Sequence, residues 1–151
     1  RSVVTHAHSD HVGRHKELIC SGPTAQLMRE RIRGKRIEHI LPYGKAEAIT
    51  QDTSIKLHPA GHILGSSLVE MNNENGSLLY TGDFKLRPGL AAEPCATPRA
   101  DTLIMETTFG LPRYVMPPES AVIAQIIAFC QQTVADGATP ALMAKFAKGL
   151  I

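Results

Sequence analysis

Cysteine is scarce in this chain. Cys20, Cys95 and Cys130 are odd in number, far apart, and none belongs to a Cys-x-x-Cys pair. That argues against a disulfide framework and against a thiolate zinc site. It reads as reduced, mostly buried thiols in a cytoplasmic protein. Net charge is nearly absent as well: 16 Lys+Arg against 14 Asp+Glu leaves +2. So small a value neither demands nor excludes a nucleic-acid partner, because the clustering of basic groups matters more than their sum. No apolar run approaches the ~20 residues that span a bilayer, so no membrane partner is expected. No basic-then-apolar segment opens the sequence, and there is no internal repeat or low-complexity tract. With 43% apolar and 20% charged residues, a disordered tail, a collagen-like chain and a heptad rod are also excluded. The 151 residues leave room for one core.

Strand signals run over 2–5, 54–57, 67–71, 78–81 and 102–105. Asn75-Gly76 marks a hairpin between the third and fourth of these. Helix signals cover 24–33, closed by Gly34, and 118–135, closed by Gly137. In the second helix Val122, Ile123, Ile126, Ile127, Cys130 and Val134 form one apolar stripe. Residues 88–98 read as a Pro/Ala-rich connector, and 140–151 as a short helix-like stretch without a cap. The interleaving predicts an α+β fold, a mixed β-sheet flanked by helices. A strand that opens the sequence with no Met before it is expected of an incomplete chain.

Histidine is the residue present in excess. There are seven, four of them in the first fifteen residues. Val4-Thr5-His6-Ala7-His8-Ser9-Asp10-His11 packs three imidazoles and a carboxylate into six residues directly after a strand. His6 and His8, two apart, can point the same way as the chain leaves the strand and share one metal ion. Asp10 and His11 follow on the turn and can face a second. Without a cation, such a cluster at a strand end would repel or stay unsatisfied. His62 sits in a loop between two strands, flanked by Gly61 and Gly65, which permit close backbone approach. Asp83 follows a strand on a Gly82 turn. These supply a third imidazole and a bridging carboxylate, which complete a two-metal set.

In these residues the chain resembles the metallo-β-lactamase fold superfamily. The matching pieces are His6-Ala7-His8-Ser9-Asp10-His11, then Gly61-His62, then Gly82-Asp83, in the family order. Asp101 through Glu106, continuing to Phe109-Gly110, is similar to the strand and acidic residue that open the β-CASP insert. That insert marks the nucleic-acid-processing nucleases of the superfamily. Phe109-Gly110-Leu111-Pro112-Arg113-Tyr114 is most similar to the bacterial exonucleases associated with a DNA ligase, often labelled mRNA 3′-end processing factor-like. The resemblance implies a partial αββα metallo-β-lactamase domain over 1–100 and a truncated start of the β-CASP insert over 101–151. The family places a hairpin before the first motif and two more histidines within the insert, one of them a general acid. No histidine follows His62 here, so a fragment of low activity is expected.

By resemblance, His6, His8 and His62 hold a first zinc ion, Asp10 and His11 a second, and Asp83 bridges them. Manganese or iron would tolerate the same donors. Such a pair of ions activates water for attack on phosphorus, with Asp10 and Asp83 as catalytic groups. Glu106 would orient the insert's histidine. Lys85 and Arg87 are candidate phosphate contacts. The run Arg29, Arg31, Arg33, Lys35, Arg36 reads rather as a solvated helix face, and His15, His39 and His58 as structural or surface residues. The implied function is metal-dependent hydrolysis of phosphodiester bonds in DNA or RNA, with a DNA ligase or helicase as a partner in the same pathway. Two alternatives remain: a small-molecule metallo-hydrolase cleaving a thioester or lactam, and a degenerate metal-binding chain without catalysis.

Overall fold

A computed structural model gives the fold and describes residues 1–143. The chain divides into two units, Arg1–Glu106 and one that begins at Thr107. The first holds two sheets and a helix. Strands β1 (Ser2–Val3), β2 (Glu17–Cys20) and β3 (Ile37–Ile40) form an all-parallel sheet in the order β1-β2-β3. Helix α1 (Gly22–Arg31) makes the crossover from β2 to β3. Strands β4 (Ala46–Ala48), β5 (Ser54–Pro59), β6 (Ser67–Asn73), β7 (Gly76–Tyr80) and β8 (Thr102–Ile104) follow in sequence order in a second sheet. That sheet is antiparallel except for the parallel pair β7–β8.

The alternation of side chains along β2 explains how the layers stack. Leu18 and Cys20 point to one face and join Val4, Ala7, Ala25 and Met28, so α1 covers that side. Ile19 points to the other face and meets Leu41, Ile55, Leu57 and Val69, so the second sheet covers that side. The order is helix, three-stranded sheet, five-stranded sheet. Ile55 and Leu57 are almost wholly buried, and burying a side chain of this kind contributes roughly 1.5–3 kcal/mol. On the outer face of the second sheet, Ala60, Leu68 and Leu79 are covered by Phe84, Cys95 and Ala100.

The expected strands and both helices appear, with ends unchanged or moved by at most two residues. Helix α1 starts at Gly22, two residues earlier than expected. Ser21 caps it, its side chain accepting from the Thr24 N–H, and Pro23 sits in the first turn. The hairpin turn falls on Glu74 and Asn75, with Asn73 paired to Gly76. Strands β2, β3 and β4 carried no signal in the sequence reading. In the second unit, α2 (Glu119–Ala135) has no buried residue, and its stripe residues Val122, Ile123, Ile126, Ile127 and Val134 are all exposed. Ahead of it the Phe109 and Tyr114 rings meet edge to face at 5.4 Å, and Arg113 lies over Tyr114. Residues 140–143 are not helical, and the remainder of the helix-like stretch expected there lies outside the described residues. Among the described residues no helix is long and apolar enough to cross a membrane.

Candidate metal centre

The centre forms where three loops of the first unit converge. Leaving β1, Val4 and Thr5 are buried, and the Ser67 N–H donates to the Thr5 carbonyl at 2.8 Å. The chain is thereby tied to β6 just before His6, which is fully buried. His8 follows, and a single 3-10 turn, Ser9–His11, carries Asp10 and His11. His62 arrives on the loop between β5 and β6, and Asp83 on the turn after β7.

One nitrogen from each of His6, His8 and His62 and one oxygen of Asp83 lie within 4.8 Å of one another. His8 Nδ1 is 3.0 Å from His6 Nε2 and 3.4 Å from His62 Nε2. Asp83 Oδ2 is 3.7 Å from His6 Nε2 and 3.6 Å from His62 Nε2. A tetrahedral ion with bonds of 2.0–2.1 Å separates its ligand atoms by about 3.3–3.4 Å. The observed separations bracket that figure, so these four residues fit a divalent cation. The other Asp83 oxygen, Oδ1, faces His11 Nε2 at 3.7 Å. The two oxygens of one carboxylate are thus divided between the three-histidine pocket and His11. Asp10 stands outside the group of four, although its charge acts on both His6 and His8.

The electrostatics keep the imidazoles neutral, which is the form that binds metal. Burial, then the neighbouring His11, His8 and His62 rings, lowers the His6 pKa to about 3. His8 and His62 are lowered too, in both cases mainly by burial. Thr5 Oγ1 lies 3.0 Å from His6 Nδ1. With that nitrogen engaged by the hydroxyl, Nε2 is the one left to face the pocket. Gly82 (φ +52°) allows Thr5 to sit there, since a Cβ at 82 would lie 2.8 Å from Thr5 Oγ1.

The remaining candidates are placed as follows. Glu106 is half-buried, its N–H donates to Thr81 Oγ1 at 3.2 Å, and its charge reaches His62. Lys85 is half-buried, and its charge also acts on His62. Arg87 is exposed. His39 pairs with Glu17 and His58 with Glu70, both away from the cluster. In the basic run, Glu38 engages Arg29 at 2.6 Å and Arg36 at 3.1 Å, which makes this helix end an ion-paired surface.

Of the hydroxyls that hold the His62 loop, sequence reasoning singled out Ser66 alone, as a candidate donor, and missed Tyr43, Ser21 and Thr24. Ser66 Oγ, buried, accepts the N–H groups of His62 at 3.1 Å and Ile63 at 3.2 Å. Tyr43 donates its phenol proton to the Ser66 carbonyl at 3.0 Å. Ser21 and Thr24, at the start of α1, donate to the Gly65 carbonyl at 2.6 and 2.8 Å. The sequence placed the start of this helix at Thr24, and nothing in it pointed to a partner 41 to 44 residues away.

No family model matches the chain. Among known proteins it is 58% identical over 144 residues to a "Probable DNA ligase" of Opitutus terrae, a match covering 94% of this chain and 14% of that protein. It is 34% identical over 172 residues to transcription termination factor FttA of Thermococcus kodakarensis, covering 89% of this chain and 26% of the relative. It is 30% identical over 158 residues to an RNase J-like protein of Methanocaldococcus jannaschii, covering 89% and 38%. The chain therefore spans between 14% and 38% of the length of these three relatives. Among solved structures, a protein of unknown function from Enterococcus faecalis V583 overlaps 56% of this chain and 25% of its own, at 19% identity and a TM-score of 0.45.

Proposed function

We propose that this chain carries the metal-binding part of a two-metal phosphodiesterase of the metallo-β-lactamase superfamily, β-CASP branch, acting on DNA or RNA. The observation that carries the reading is the meeting of His6 Nε2, His8 Nδ1, His62 Nε2 and Asp83 Oδ2, with Asp83 Oδ1 turned to His11. The nucleic-acid half of the reading is supported by the relatives' names, which speak of a DNA ligase, a transcription termination factor and an RNase J-like protein. The division into a metal domain over 1–100 and the opening of an insert over 101–151 belongs to the same proposal, as does a DNA ligase or helicase as partner.

His6, His8 and His62 would hold one ion, zinc by preference for this nitrogen-rich set. Asp10 and His11 would hold a second, with Asp83 shared. A bound pair of divalent ions lowers the pKa of water and neutralises charge on a phosphate. The chain's own residues do the rest. Burial keeps the three imidazoles unprotonated, so their nitrogens are free to donate. Thr5 holds the His6 ring, and Ser66 holds the backbone that presents His62. Asp10, whose charge acts on His6 and His8, would orient an attacking water. Lys85, whose charge reaches the His62 ring, would meet a phosphate oxygen.

The test loads purified protein with zinc or manganese and measures bound metal by elemental analysis. Cleavage of single-stranded DNA and RNA is then assayed beside an Asp83→Ala control, with a thioester and a β-lactam as competing substrates. One to two ions per chain and Asp83-dependent phosphodiester cleavage are expected. Absence of bound metal, with His6→Ala and His8→Ala no different from the parent, defeats the metal centre. Hydrolysis of the thioester or lactam alone moves the function to the small-molecule branch.

A further inference from the structure

We infer that Glu93 is a positioning residue for the His62 ligand, acting as the latch of a strap formed by residues 84–96. The inference rests on the metal-centre reading and adds to it a residue far from the motifs. In the sequence residues 88–98 read as a Pro/Ala-rich connector. In the structure the strap's two ends are fastened to the loop that bears His62. The Lys85 N–H donates to the Ala60 carbonyl and the Ala96 N–H to the Pro59 carbonyl, each at 2.9 Å. Phe84 and Cys95 pack against the cluster of Ala60, Leu68 and Leu79. Gly61 is what lets the strap lie so close: at φ +73° it has no Cβ, and one there would meet the Lys85 carbonyl oxygen and the Cys95 backbone.

Between those fastenings the Glu93 carboxylate accepts the Gly65 N–H at 3.0 Å. The carbonyl of the same residue accepts from Ser21, Thr24 and Ser67. Gly65 is thus clamped on both sides, by the strap through its N–H and by α1 and β6 through its C=O. The next residue, Ser66, accepts the His62 N–H. Two hydrogen bonds, joined through the Gly65–Ser66 peptide link, therefore connect Glu93 to the backbone of His62. Charge-assisted bonds of this kind are the stronger class, and groups that orient a ligand without touching the metal commonly govern affinity by about 10-fold to 100-fold. Lys85 and Arg87 lie on the same strap, so the segment that would grip a phosphate is the one that fixes a metal ligand.

The test is a Co2+ titration of the full chain, wild type against Glu93→Ala and Glu93→Gln, each also in a His62→Ala background. Affinity and the visible spectrum of the bound Co2+ are the readouts. Exchange of the His62 and Gly65 amide protons is followed in the metal-free protein. Glu93→Ala should bind about 10-fold more weakly with an altered spectrum and faster amide exchange, while Glu93→Gln, which retains an acceptor, should recover most of the affinity. In the His62→Ala background the Glu93→Ala change should cost nothing further, because its effect travels through that ligand. Wild-type affinity and spectrum in Glu93→Ala overturn the inference. So does an equal loss with and without His62, which would mark Glu93 as a general structural prop. A wild-type chain that takes up no Co2+ overturns the metal-centre reading itself, and with it this one.

Discussion

Lowering the pH of the metal-free chain from 7 to 5 should cost about 2 kcal/mol of folding stability through His6 alone. His6 is fully buried. Its pKa is lowered from 6.5 to about 3 by burial first and by the rings of His11, His8 and His62 next, against an upward pull from Asp10. The Asp83 carboxylate, 3.7 Å away, faces the same ring. Between pH 6.5 and about 3 the unfolded chain carries a proton on this imidazole that the folded chain does not. Stability is therefore fully present above that window and falls as the pH drops through it. At about 1.4 kcal/mol per pKa unit the whole window is worth up to about 5 kcal/mol, of which about 2 lie between pH 7 and 5. His8 and His62 push in the same direction. The assay is urea unfolding of chelator-treated protein at several pH values, with the His6 ring signals followed by NMR. A falling midpoint and a His6 ring still neutral at about pH 5 are expected. Stability that stays flat over this range, or a His6 that titrates near its ordinary value, refutes the reasoning.

Gly82→Ala should weaken metal binding by about 10-fold, because the new methyl must displace Thr5, which holds His6, on the turn that presents Asp83; isothermal titration checks it, and unchanged affinity counts against the Thr5 role. Ser66→Ala should destabilise the fold by about 1–3 kcal/mol, since it strips a buried acceptor from the His62 and Ile63 N–H groups; chemical denaturation measures it. A second ion should bind more weakly than the first, because Asp10 and His11 lie outside the four-residue group and share only Asp83 with it; a titration with two equal steps would contradict that. Phosphodiester cleavage by these 151 residues alone should be slow, as a positioned general acid contributes about 10²–10⁴-fold and no histidine follows His62 to supply one; rapid, Asp83-dependent turnover in the cleavage assay would show that no such acid is required.

What could be read from the sequence follows the range over which the information is written. The cluster from His6 to His11 was legible because four donors fall within six residues. His62 and Asp83 were legible through the glycines beside them, which mark turns at strand ends. That Asp83 would face both the three-histidine pocket and His11 came only from the family resemblance, since the division of its two oxygens depends on how β7 is held against β6 relative to β1. Strand β2 escaped because three of its four residues are buried: a strand covered on both faces loses the alternation that betrays a half-exposed one. Strand β4 is three exposed residues whose place is set by pairing with β5. Glu93 offered no local sign, because its partner, Gly65, lies 28 residues back.

The donors of the centre come from both sheets. His6 and His8 follow β1 of the parallel sheet, whereas His62 and Asp83 follow β5 and β7 of the other. Between those sheets lies the cluster of Ile19, Leu41, Ile55, Leu57 and Val69. The spacing of the four ligand atoms is therefore set by how these side chains fill the gap, and close-packed interiors have little slack. A cation bound by all four would in turn tie one sheet to the other, so its binding energy becomes folding energy for the first unit. Core and site are on this argument one mechanical object. The apolar cluster fixes the distance at which the imidazoles stand before any metal arrives, and the burial that lowers the His6 pKa costs stability only as the pH falls through the window below 6.5.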